Sequence, residues 1–291
     1  MEIGMTLPTM IAGVDRASTL AWCRRVDDGP WSTLAIGERI AYPNQELWVT
    51  LSAAAALTER PRIMATVVVL PMHSAVDVAK KAATLDVLSE GRFVLGVGVG
   101  GRDEDYRSLE RPFGRRHQRM DDQVAVMQRV WAGEAPFDDV HPVGPPPVQP
   151  GGPPLYSGAL GPKSIARSAA WATGISGFLL DPLGEDAPGT FRQIEQAWAD
   201  AGRTEPPRHV TSFWYALGDG ATDRLHAYAR RYLGIFGTEI ADAMARSCSA
   251  HSPGALRDAV ARLEDAGCDE LLLVPTTTDP DELDRTLDAL G

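Results

Sequence analysis

The sequence predicts a (βα)8 barrel, closed from eight parallel strands and carrying an insertion after the fourth. Three observations predict it. Eight short runs rich in apolar and β-forming residues recur along the 291 residues. Most of these runs are continuously apolar rather than alternating, as suits parallel strands covered on both faces. Helical patterns long enough for crossover connections fill most of the gaps, which makes the repeating unit βαβ. Eight such units in a chain of this length point to a closed barrel. An open doubly wound sheet satisfies the same alternation, because a single sequence carries no mark of closure.

IGMTL (3–7) opens the series, and VDRASTLAWCRRVDD (14–28) follows it with apolar residues at helical spacing. After STLAIG (32–37) comes PNQELWVTLSAAAALTE (43–59), with Pro43 near its start, an alanine-rich body and Pro61 just past its end. RIMATVVVL (62–70) leads into SAVDVAKKAATLDVLSEG (74–91), which Ser74 caps and Gly91 stops. RFVLGVGV (92–99) is the fourth run. There the rhythm breaks. DDQVAVMQRVWAGE reads as a helix, but GEAPFDDVHPVGPPPVQPGGPP (133–154) is too rich in proline for a helix or a central strand. The alternation resumes at once beyond it. Residues of about 101–153 therefore read as an ordered excursion from one domain, 1–291, rather than a linker between two. PLYSGAL (154–160) precedes a helix that starts at Pro162. ISGFLL (175–180) precedes GTFRQIEQAWADAG (189–202). HVTSFWYAL (209–217), SPGALRDAVARLEDAG (252–267), DELLLV (269–274) and a helix from Asp279 complete the set.

A net charge of −11 without a basic block argues against a nucleic-acid groove or an anionic membrane surface as partner. Cys23, Cys248 and Cys268 are odd in number and widely spaced, which suggests reduced core residues and neither a disulfide framework nor a zinc site. The opening MEIGMTLPTM lacks the cationic and apolar regions of a signal peptide, and no apolar run is long enough to span a membrane. A cytoplasmic protein acting on a small molecule is the expectation.

A barrel of this kind holds its active site at the C-terminal ends of the strands. The residues to weigh there are Pro8 and Thr9, Glu38 and Arg39, then Pro71, Met72 and His73, then Gly100 through Asp105. Glu38 and Arg39 read either as an ion pair at the mouth or as substrate contacts. His73 reads as a general base, a ligand or a helix cap, and no second ligand at metal spacing accompanies it. Gly96, Gly98 and Gly101 spell the dinucleotide fingerprint G-x-G-x-x-G. Its context is wrong, because three βα units precede it and Asp103, Glu104 and Asp105 would repel a pyrophosphate. These glycines fit better as a clear surface that lets a flat ligand approach the backbone. A better phosphate loop is SGALGP (157–162), where small residues open a helix with Pro162 in its first turn and Lys163 and Ser164 beside it. Free N–H groups and the positive dipole end favour an anion there by about 0.3–2 kcal/mol. A plain βα turn is the other reading of the same residues.

The stretch AKKAATLDVLSEGRFVLGVGVGGRDEDY, with ERPFGRRHQRMDD, PPPVQPGGPPLYSGALGPKS and DAGCDELLLVP, resembles the bacterial luciferase-like superfamily of flavin- and deazaflavin-dependent oxidoreductases. The resemblance implies a (βα)8 barrel whose insertion after strand four shapes the substrate pocket. It implies coenzyme F420 or FMN as cofactor, and SGALGPKS looks most like the F420 branch. On that basis Ser157, Gly158, Ala159, Leu160, Gly161 and Pro162 hold the cofactor phosphate, with Gly98 and Gly100 beside the ring. Thr66, Val67 and Val68 support the ring through a bulge whose cis non-prolyl bond falls at Val67–Val68. Glu38 and Arg39 stand where sugar-phosphate dehydrogenases of the branch carry Asp-His, and Gly101 stands in place of their catalytic Glu. That machinery does not carry over, so Glu38, Arg39 and His73 are the candidates for substrate binding or proton transfer to an unidentified substrate. The resemblance also implies a homodimer. Two alternatives remain: an FMN-dependent monooxygenase that needs oxygen and a flavin reductase partner, and a barrel that only binds a flavin-like ligand.

Overall fold

The eight apolar runs fold into eight strands that pair in sequence order and close, every pair parallel. They are β1 (Glu2–Thr6), β2 (Thr33–Ile36), β3 (Arg62–Val69), β4 (Phe93–Gly98), β5 (Leu155–Ser157), β6 (Gly174–Ser176), β7 (Arg208–Tyr215) and β8 (Glu270–Pro275). The computed structural model describes residues 1–291. Around the barrel run α1 (Arg16–Asp28), α2 (Leu47–Leu57), α3 (Ala75–Leu88), α4 (Asp103–Ser108), α5 (Arg116–Trp131) and α6 (Pro162–Ser168). The jacket continues with α7 (Ala187–Asp200), α8 (Ala221–Leu233), α9 (Thr238–Ser247), α10 (Pro253–Asp265) and α11 (Glu282–Leu290). The closed sheet resolves the choice between a barrel and an open sheet. No helix is long and apolar enough to cross a membrane.

Because strand side chains alternate, each strand sends one set outward to the helices and one into the lumen. The outward set, including Leu34, Ile36, Ile63, Phe93, Leu95 and Phe213, joins Trp22, Leu51 and Trp198 in a core of 53 buried residues. All three cysteines are buried and free, and burial pushes their thiols up to about 12. The lumen is built in layers. At its N-terminal end Arg62 bridges Glu2 and the buried Glu270, which also accepts from the Ser32 and Thr33 hydroxyls. Above this lies an apolar plug of Ala35, Met64, Val94, Tyr156, Val210 and Leu272. β1 and β6 contribute Gly4 and Gly174 at this level. A Cβ on Gly4 would stand 2.7 Å from Leu272 Cδ2, and one on Gly174 would stand 2.1 Å from the Arg208 carbonyl oxygen.

The motif shared with the superfamily is largely structural. Asp86, fully buried, accepts from Val148 N at 2.7 Å and Gln149 N at 2.9 Å, and from Gln149 Nε2 at 2.7 Å. It thereby ties the proline-rich segment to α3. Arg92 donates to the carbonyls of Ala55, Thr58 and Pro61, closing the end of α2. Lys80 also donates to Gly144 O at 2.7 Å, a second tie between α3 and this segment.

Several boundaries differ from the expectation. The helix expected from Pro43 starts at Leu47, where the Glu46 side chain accepts from Val49 N. The helix expected from Asp121 starts at Arg116, after Arg115 in a left-handed conformation, and the acidic stretch before it forms α4. Between β7 and β8, α8 and α9 form a second excursion that the sequence reading left unassigned.

Candidate functional site

Two residues above the plug, the lumen side chains become small. Val210 gives way to Ser212, Met64 to Thr66, Val94 to Gly96, and Tyr156 to Gly158. Gly4 gives way to Thr6, and Gly174 to Ser176. A plug that shrinks from Met, Val and Tyr to Thr, Ser and Gly leaves space, and a cavity of about 590 Å³ opens at the C-terminal mouth. That volume is in the range of small-molecule sites, about 300–1,000 Å³.

The floor is set by β3. Its pairing with β4 shifts register between Ala65 and Val68, and Thr66–Val67 is a cis peptide bond. The bulge is where the resemblance put it, but the cis bond lies one residue earlier than Val67–Val68. The shift turns Val67 into the lumen and sends Val68 into the jacket core, so Val68 does not line the cavity. The glycines of β4 and β5 make room for the Val67 side chain. A Cβ on Gly98 would lie 2.8 Å from Val67 Cγ2, and one on Gly158 would lie 3.1 Å from Val67 Cγ1. The result is a low apolar shelf bordered by Thr66, Gly98 and Gly100. Gly100 has φ +58° and would clash with Val69 if it carried a Cβ. At Gly101 a Cβ would meet nothing within 4 Å, so its missing side chain is not a packing requirement. Gly96, Gly98 and Gly100 are thus glycines that pack against β3 at the barrel floor.

Glu38 and Arg39 do not pair with each other, contrary to one of the two expectations. Glu38 Oε2 accepts from Val69 N at 2.7 Å, and its Oε1 lies 2.9 Å from His73 Nε2. His73 stands behind Glu38 and does not line the cavity. Arg39 is buried, donating from Nε to Asp105 Oδ2 at 2.8 Å and from Nη2 to Glu104 Oε1 at 2.9 Å. Asp105 also accepts from Ala41 N at 2.6 Å. The acidic triplet that argued against a pyrophosphate is therefore partly neutralised by the loop after β2.

The loop after β5 lines one edge through Ser157, Gly158, Ala159, Leu160, Gly161 and Ser164. Ser164 Oγ donates to Gly161 O at 2.8 Å. Pro162 and Lys163 are exposed and lie outside the lining. The basic groups at this edge come instead from the start of α5, as Arg116 and His117, while Arg39 and Arg102 line the cavity elsewhere. Burial, then Arg116 and Arg167, hold the His117 imidazole below its ordinary value. Arg167 of α6 contacts Asp121 of α5, which joins the two helices at this edge.

An aromatic wall on the β6–β7 side was not foreseen. Phe178, Trp214, Tyr228 and Tyr232 line it, with Leu233 and Val274. Trp214 packs at 4.7 Å on Phe178, 5.5 Å on Tyr228 and 5.2 Å on Tyr232, measured between ring centroids. Trp214 shares the inward phase of β7 with Val210 and Ser212, a signal present in HVTSFWYAL. Leu225, Tyr228 and Tyr232 recur at helical spacing in ATDRLHAYARRYL, the signal that would have found α8. Burial, then the neighbouring Tyr232 and Tyr42, push the Tyr228 phenol up, so it remains a hydrogen-bond donor.

Comparison with known proteins agrees with this geometry. An F420-dependent secondary alcohol dehydrogenase superposes with a TM-score of 0.79 over 100% of this chain and 99% of its own, at 16% identity. The oxygenating constituent of 3,6-diketocamphane monooxygenase from Pseudomonas putida, in complex with FMN, superposes with a TM-score of 0.72 over 100% and 96%, at 16% identity. At such identities the likeness shows the fold alone. An uncharacterized protein of Mycobacterium tuberculosis is 36% identical over 174 residues, 56% of this chain and 59% of that protein. The chain thus spans about three-fifths of the curated relatives it matches first. The family model for luciferase-like monooxygenases matches residues 1–286, from β1 into α11, the same span that builds the closed barrel and the cavity at its mouth. The chain belongs to the luciferase-like monooxygenase family.

Proposed function

We propose that this protein is an oxidoreductase that binds a deazaflavin of the coenzyme F420 type at the barrel mouth and uses it on a small organic substrate. The observation that carries this reading is the Val67 shelf, a flat apolar floor that Gly98 and Gly158 clear for a planar ring. Thr66, Val67, Gly98 and Gly100 would face the ring. Ser157 through Gly161, with Arg116 and His117, would hold the phosphate. The bound cofactor supplies the hydride chemistry. The chain's own residues bind, orient and exclude water. Glu38 fixes the end of β3 through Val69 N–H, and Arg39 fixes α4 through Asp105; both act as positioning residues. The likeness of SGALGPKS to the F420 branch supports F420 over FMN.

The family's description supports a second reading, an FMN-dependent monooxygenase that uses oxygen and a flavin reductase partner. Absorbance and fluorescence titrations of the purified protein with F420 and with FMN separate the two. Saturable perturbation by F420, with weaker or no response to FMN, is the expected result. A yellow protein that carries FMN through purification would shift the assignment to the second reading. Binding of neither would sink both.

A further inference from the structure

Resting on the oxidoreductase reading, we propose that the substrate is an uncharged, flat aromatic carbonyl compound, seated against Trp214 with its oxygen accepting from the Tyr228 hydroxyl. The wall on the β6–β7 side of the cavity is aromatic. Tyr228 and Tyr232 lie nearly parallel, 11° between planes and 6.3 Å between centroids, and both set an edge against Trp214. Such a corner favours a ring over a flexible chain, because offset and edge-on aromatic contacts add to simple burial.

Glu38 and Asp105 balance Arg39 and Arg102 on this side of the cavity, with Arg39 Nη1 left without a partner. Glu38 is taken by His73 and Val69 N–H, and Arg39 by Asp105 and Glu104. Arg102 donates to the Tyr232 carbonyl at 2.6 Å and sits 4.9 Å over the Tyr232 ring. An anionic substrate would lose its hydration here and meet no net positive charge. The tyrosine hydroxyls differ from others in the molecule. Tyr106 donates to Val99 O and Tyr215 pairs with Thr286, whereas the Tyr228 and Tyr232 hydroxyls have no protein partner and both residues line the cavity; Arg102 covers the Tyr232 ring, which leaves Tyr228 as the donor. A half-buried phenol that opens into the cavity without a protein partner offers its proton to an acceptor there, and on a neutral flat molecule that acceptor is a carbonyl oxygen. The carbonyl is also a group that hydride chemistry reduces.

Three probes of one ring size test this on the full chain without added cofactor: 2-acetylnaphthalene, naphthalene and 2-naphthoate. Binding is read by ligand-observed NMR. The ketone should bind, and 2-naphthoate should bind at least about tenfold more weakly. Tyr228→Phe should weaken the ketone by about five- to tenfold, the worth of one hydrogen bond, and leave naphthalene unchanged. Trp214→Ala should weaken both neutral probes. Equal or tighter binding of 2-naphthoate to the wild-type protein overturns the proposal, and that comparison needs no variant. So does a Tyr228→Phe protein that binds the ketone as the wild type does, or that loses naphthalene equally. The F420 titration reports on the shelf and the loop after β5. Ketone binding without F420 binding removes the cofactor reading and leaves this seat standing; the reverse removes this proposal alone.

Discussion

Val67 and His117 show how much of the site is decided by single residues placed against their neighbours. Val67 forms a shelf because Gly98 of β4 and Gly158, just after β5, leave it room: a Cβ on Gly98 would clash with it and one on Gly158 would crowd it. His117 is tuned by charge as well as by burial. Arg116 and Arg167 beside it disfavour its proton, so its pKa lies below that of the unfolded chain. The sign follows from linkage. A depressed histidine contributes stability above the unfolded value near 6.5 and loses it as pH falls through the window below. An anion bound beside His117 acts in the opposite sense, because it favours the protonated ring and so takes up a proton. Sulfate, which does not titrate near neutrality, should therefore bind more tightly as pH is lowered from about 7.5 to 5.5. Calorimetry at several pH values should show this slope, and His117→Gln should flatten it. A slope unchanged in His117→Gln would place the anion elsewhere.

At the scale of elements, Asp86 carries the excursion after β4. Its carboxylate, fully buried, satisfies two backbone N–H groups of a segment with no helix or strand of its own. Asp86→Ala should leave both donors unpaired and cost about 2–4 kcal/mol, since each orphaned buried group costs about 1–3. Thermal unfolding should show the loss, and limited proteolysis should cut within 132–154 in the variant before it cuts the wild type. Wild-type melting with wild-type proteolysis would remove Asp86 from this role. The eight strands were legible because a continuously apolar run has no other use in a chain of this size. The phosphate-loop candidate was legible because Gly and Pro mark a strand-to-helix turn. α8 was missed because it starts at the left-handed Gly220 with no side-chain cap, and its charged face masks the Leu225–Tyr228–Tyr232 stripe. The partners of Glu38 and Arg39 were not legible at all. They lie 35 and 66 residues away, and only closure of the barrel brings them together.

Across the whole molecule, the barrel separates what stabilises it from what it binds. The N-terminal end of the lumen holds the charged cluster, the middle holds the apolar plug, and the C-terminal end holds the cavity. Glu270 is the critical charge of the lower layer. Its side chain is 4% exposed, and Arg62 is the cation that answers it, at 2.9 Å, while Ser32 and Thr33 supply only hydroxyls. Removing that cation strands a buried carboxylate, which costs about 3–5 kcal/mol in comparable pairs. Arg62→Met should therefore lower the midpoint of denaturant unfolding with little change in its slope. Glu270→Gln, which keeps the hydroxyl bonds and removes the charge, should lose less, because no uncompensated ion remains. The plug lies between this cluster and the mouth, so neither variant should alter binding of 2-acetylnaphthalene at temperatures where the protein is folded. If Arg62→Met weakened that binding as much as Tyr228→Phe does, the two ends would be coupled through the plug and the separation would fail.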